Sequence, residues 1–220
     1  MIGRRAIVGL CMLCALLVSA FAAQAASAAT GTTGTAPAGV GYSGNIKGKG
    51  GQTLLHSVIS GVEVELKSNS LTGTGSATSM VEGSEHTSNG TGVISYKEVT
   101  VVKPSGKGCE VVGKEVNTKE LKATTAGVGM TLKFEPVTGG VFASFEVKGC
   151  TVTSLNGVYE VTGSVAGVPS EGTNKTVFER TPTTEQKTLK LRGQNAGIAG
   201  TLELETAGGE AINSSTVTTP

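Results

Sequence analysis

Apolar and polar residues alternate with a period of two along most of this chain. In residues 62–67, Val62, Val64 and Leu66 fall on one side and Glu63, Glu65 and Lys67 on the other. Met130, Leu132 and Phe134 alternate with Thr131, Lys133 and Glu135. Val141, Ala143, Phe145 and Val147 alternate with Phe142, Ser144, Glu146 and Lys148. The habit continues through Tyr159 and Val161, Leu189 and Leu191, and Leu202 and Leu204. Successive side chains of a strand point to opposite faces, so the pattern predicts antiparallel sheet with one face on a core and the other in water. About ten to twelve short strands at this spacing predict an all-β fold, an antiparallel β-sandwich or barrel. In residues 141–147, Phe142 falls on the polar side, which marks it as an exposed contact residue or a sign of a second buried sheet face.

The start of the chain breaks the pattern. Arg4 and Arg5 precede an almost unbroken apolar run over residues 6–21, followed by Ala-Gln-Ala and Ala-Ser-Ala. A basic start, an apolar stretch and small residues at the end form the grammar of a secretory signal peptide. The run is shorter than the roughly 20 residues of a spanning helix, and no stop-transfer pattern follows. The predicted organisation is a signal helix over residues 1–28 and a flexible Gly/Thr-rich leader over 29–44. A single all-β domain over 45–206 and a polar tail over 207–220 complete it. Secretion, or retention at the cell envelope, is the localisation this implies.

Residues 115–135 align without a gap to residues 185–205, with identical pairs at Leu121/Leu191, Ala126/Ala196, Gly127/Gly197, Thr131/Thr201 and Leu132/Leu202. A fainter copy places Leu55, Gly61, Val62 and Leu66 at the spacing of Leu121, Gly127, Val128 and Leu132. Each copy reads as a β-hairpin whose glycine occupies the turn, so Gly127 and Gly197 are expected at equivalent turns. The segments Leu132-Lys-Phe-Glu-Pro136, Phe142-Ala-Ser-Phe145, Gly149-Cys150, Leu191-Arg-Gly-Gln-Asn-Ala-Gly197 and Gly200-Thr-Leu202 resemble patterns in uncharacterised exported β-rich proteins of actinobacteria. The resemblance covers roughly residues 105–205. It implies export and an all-β domain, and it brings no activity with it.

Composition removes more functions than it supplies. All 17 acidic residues are Glu, Trp is absent, and His occurs only at His56 and His86. Taking Arg4 and Arg5 from the 18 Lys and Arg leaves 16 against those 17 glutamates, a nearly neutral chain with no electrostatic footprint for nucleic acid. Calcium loops lean on Asp, and sugar and base recognition on exposed aromatic platforms. No phosphate loop, dinucleotide fingerprint or serine nucleophile elbow is present. The expectation is therefore no cofactor, no metal site and no catalytic group.

Four features invite chemistry. Cys11 and Cys14 lie inside the signal, which leaves Cys109 and Cys150 as one disulfide in an oxidising compartment. Glu63/Glu65 and Glu203/Glu205 are paired carboxylates, the vocabulary of a glycosidase, but at i, i+2 on polar strand faces they read as solvated charge. Glu82, Glu85 and His86 offer too few ligands for a tetrahedral metal. His56 matches Lys122 and Arg192 in the aligned copies, an outward, basic strand position. The sequence thus predicts an exported non-catalytic structural or binding protein, with cell-envelope components as partners. Carriage of a small apolar ligand in a barrel is the alternative, and a Glu-based hydrolase comes third.

Overall fold

A computed structural model describes residues 43–82, 85–126, 131–170, 173–179 and 188–212. The predicted signal, Gly127 and Met130 lie outside these residues, as do the side chains of Glu82, Glu85 and His86. Sixteen strands form one all-antiparallel system: β1 (Gly44–Gly50), β2 (Thr53–Ile59), β3 (Val62–Ser68), β4 (Ser70–Glu82), β5 (Glu85–Lys97), β6 (Thr100–Lys103), β7 (Glu110–Val111), β8 (Glu115–Asn117), β9 (Leu121–Ala126), β10 (Thr131–Pro136), β11 (Val141–Lys148), β12 (Gly157–Thr162), β13 (Val165–Pro169), β14 (Lys175–Phe178), β15 (Lys190–Leu191) and β16 (Gln194–Thr206).

Of the two architectures the alternation allows, the molecule is a barrel. Eight strands pair in the order β1-β4-β5-β9-β10-β13-β14-β16, and β16 returns to β1 to close the ring. A second tier continues the first. Beside β16, β2 follows on from β1, and β3 and β6 flank the same line as β4 and β5; on the other side β15, β12 and β11 extend β14, β13 and β10. Strand β16 runs unbroken through both tiers, pairing β15 and β2 with its first half and β14 and β1 with its second. Strands β6 and β7 are not paired with each other, and the Val99 N–H before β6 bonds to the Lys114 carbonyl after β7 at 2.8 Å.

The interior fills as the sequence pattern directs. Leu121, Leu132, Leu202 and Leu204 point into the first tier, and Leu66, Phe145, Val161, Leu189 and Leu191 into the second. At one end the Tyr159 hydroxyl donates to the Leu155 carbonyl at 2.8 Å, and Arg192 stacks 4.9 Å above the Tyr159 ring while donating to the Ser154 carbonyl. The hydrophobic core is one continuous cluster running through both tiers.

Three local expectations change. Phe142 is buried, 3 % exposed, because β11 carries a bulge: Val141 faces Thr162 and Ala143 faces Val161, leaving Phe142 as the extra residue. A bulge shifts the phase of the alternation, so Phe142 and Ala143 both turn inward and the exposed-contact reading fails. Gly197 is not at a turn. It lies within β16 opposite His56, and the chain turns earlier at Arg192-Gly193. The third copy does form a hairpin, β2–β3, which turns at Ser60-Gly61, and β9 pairs β10 as expected.

The tail also begins later than residue 207. Residues 207–212 fold back on β16, with the Thr206 N–H bonded to the Glu210 carbonyl and the Ile212 N–H to the Leu204 carbonyl. This return buries the Ile212 side chain completely.

Candidate functional site

Cys109 and Cys150 form the expected disulfide. Cys109 precedes β7 and Cys150 follows β11, and these two strands share only the pairs Val147–Val111 and Lys148–Glu110. The Thr151 N–H bonded to the Lys107 carbonyl continues the same register past the cysteines. The backbones approach closely here because Gly108 and Gly149 face each other with φ of 70° and 76°. A Cβ on either would lie 2.8–2.9 Å from the carbonyl oxygen of the other. Both conditions, left-handed backbone and no room for a methyl, select glycine. The staple thus sits beside a ladder of the second tier that has only two residue pairs.

The carboxylate pairs are engaged on the outer wall. Glu63 Oε1 meets Lys103 Nζ at 2.9 Å and His56 Nε2 at 3.0 Å. The hydrogen bond from the Lys103 ammonium holds the Glu63 carboxyl below its ordinary range, with lesser help from His56 and against the opposing effect of desolvation. Glu65, directly opposite His56 in the β2–β3 register, is buried rather than solvated. Lys49 bridges to both Glu203 and Glu205, and Lys175 reaches Glu203 at 3.4 Å. These carboxylates brace β3 to β6 and β16 to β1 and β14. Among the described residues no group of three His, Cys or Glu side chains could hold a metal ion. Lys122 is an exposed strand residue, whereas Arg192 sits in a turn, so the three basic positions are not equivalent.

Concavity lies inside the barrel. One void, about 60 Å³, is walled by Leu55, Leu66, Phe142, Phe145 and Ile198, with Thr53 and Tyr96 among its lining residues. A neighbouring void of about 20 Å³ shares Thr53, Tyr96, Phe142 and Ile198. A third, about 50 Å³, lies in the first tier around Gly48, Gly73, Gly92 and Phe134. Phe142 therefore lines two voids, a role its burial creates. Thr53 Oγ1 is buried, with Thr53 5 % exposed, and has no hydrogen-bond partner. The Tyr96 phenol is pushed above its ordinary pKa by burial alone.

Thr53 was missed because a polar residue in a strand reads as facing solvent. The available signal was its register: Thr53, Leu55, Ser57 and Ile59 share one phase, and all but Leu55 are fully buried. No helix among the described residues is long and apolar enough to cross a membrane, which says nothing of strands. Comparison with protein-family models, curated proteins and solved structures returns no match.

Proposed function

We propose that the protein is an exported, non-catalytic structural or binding barrel of the cell envelope or extracellular space, working through its outer surface. The observation that carries this reading is the contrast between wall and interior. The glutamates with catalytic vocabulary, Glu63, Glu203 and Glu205, are spent in ion pairs across strands. The interior voids described above, about 60, 20 and 50 Å³, are each far below the roughly 300–1,000 Å³ of a drug-sized ligand site. The outward residues Lys47, Lys49, Lys133, Glu146 and Lys148 suit water rather than lipid, the reverse of a membrane barrel's apolar band. A disulfide beside a two-pair ladder suits an oxidising compartment, in line with the expected signal.

Envelope components are the partners this reading assigns. The test is to produce the full chain in a host that exports it, then probe location, thiols and sedimentation with isolated envelopes. Oxidised protein outside the cytoplasm that co-sediments with envelopes supports the reading. Cytoplasmic protein with two alkylatable thiols per chain refutes export. Hydrolysis of a β-glycoside abolished by Glu63→Gln would refute the non-catalytic role.

A second, narrower reading, carriage of a small apolar ligand, is favoured by the hydrocarbon lining of the void walled by Leu55, Leu66, Phe142, Phe145 and Ile198. On that reading the barrel admits a guest, though one far smaller than a lipid.

A further inference from the structure

We infer that the void walled by Leu55, Leu66, Phe142, Phe145 and Ile198 is a binding site for a wholly apolar molecule of about two to four non-hydrogen atoms, a short hydrocarbon, held without a hydrogen bond and with water excluded. The inference rests on the second reading above, that the barrel carries a small apolar ligand, and it fixes that ligand's size and place.

The chemistry follows from the lining. No nitrogen or oxygen faces this space: Thr53, Ser68 and Tyr96 enter its wall through carbon atoms. The Ser68 hydroxyl donates to the Ser70 carbonyl at 2.9 Å. A buried water needs two to four polar neighbours, and here it finds none, so the space stays dry. Walls that face an empty space forfeit the dispersion contacts they would otherwise make. An apolar guest restores those contacts and leaves water in doing so. A hydroxyl or amine entering the same space surrenders its hydrogen bonds to water without replacement.

The size follows from the volume. An interior water needs about 10–15 Å³, and a cavity of about 150 Å³ accepts benzene. A space of about 60 Å³ falls between, with room for a few atoms but not for an aromatic ring or a lipid chain. So small a guest is limited to roughly millimolar affinity.

Two features of the chain keep this space open. The bulge in β11 turns Phe142 and Ala143 inward together, so a methyl stands beside a ring where regular alternation would bring in one side chain. Both residues line the void, and carbon added to Ala143 enters it. The second feature is the junction of the tiers. Val161 and Val165 line the void from either side of the break between β12 and β13, and Thr53 lines it just after the break between β1 and β2. The void therefore lies where residues of both tiers meet and the close packing of one inward row on the next is interrupted.

The test is methyl NMR of the oxidised protein titrated with cyclopropane, ethanol and benzene. Cyclopropane and ethanol match in their number of non-hydrogen atoms, so the hydroxyl is the difference between them. Cyclopropane is expected to shift the Leu55, Leu66 and Ile198 methyls saturably, ethanol to bind at least tenfold more weakly, and benzene to leave them unshifted. Ala143→Val adds carbon to the wall and should weaken cyclopropane at least fivefold; Val165→Ile serves as the second filler if Ala143→Val does not fold. Cyclopropane affinity unchanged in a folded filler variant overturns the site, and ethanol as tight as cyclopropane overturns the apolar selection. Saturable benzene binding, with or without cyclopropane, overturns the size class and leaves apolar carriage standing. No saturable shift by any probe overturns apolar carriage as well.

Discussion

Replacing Cys109 and Cys150 together with alanine should lower stability by about 4 kcal/mol. The sequence separation of 41 closes a loop of about 42 residues, and in the chain-entropy model that constraint removes about 13 cal/mol/K from the unfolded ensemble. For a chain of this size the melting temperature should fall by roughly 8–16 °C. Most of the effect acts on the unfolded state, so the urea m-value should rise as the unfolded chain expands. The folded state contributes too, since β7 keeps only two residue pairs with β11 once the bond is gone. The assay is urea unfolding of oxidised wild type and the double variant, followed by circular dichroism. A loss below about 1 kcal/mol with an unchanged m-value would show that the bond constrains nothing, and would sink the argument. Restoring either cysteine alone should recover none of the lost stability.

Other perturbations probe separate parts of the barrel. Thr53→Val keeps the shape of the side chain and removes a buried hydroxyl without a partner, so guest-free protein should gain about 1 kcal/mol in urea unfolding; a loss would reveal a partner for that oxygen. Ile212→Ala should cost about 2–4 kcal/mol, because the side chain is fully buried; an unchanged denaturation midpoint would return residues 207–212 to a frayed tail. Glu63 has a folded pKa held below the ordinary carboxylate range, so its contribution is present above the unfolded value and is lost as pH falls through the folded one. Glu63→Gln should therefore lower the denaturation midpoint at pH 7 and have little effect at pH 2; equal effects at both would mean that charge is not the cause.

The fold was legible wherever alternation alone decides which way a side chain points. Val64, Leu66, Leu132, Phe134, Tyr159 and Val161 turn inward as their spacing requires. Period two fixes a face, but it does not say whether the sheet closes. Closure depends on β16 finding β1 across nearly the whole described chain, a pairing that no local pattern encodes. The errors share a physical source. An alternation is a phase, and a phase is valid only until a residue is inserted or a strand is prolonged. At Phe142 one extra residue advanced the phase, and an apolar ring on the polar side was the trace it left. At Gly197 the glycine resembled a turn because the aligned copy at Gly61 is one, yet β16 must stay extended to pair with β2. Thr53 was hidden by the converse effect: its phase was correct, but its polarity argued for solvent. An oxygen at a core position is thus the one kind of interior residue that alternation by polarity misassigns systematically. In this molecule that oxygen belongs to Thr53, a residue that lines an interior void through its carbon atoms. Its chemistry was out of reach of the pattern because the pattern treats polarity as evidence of water.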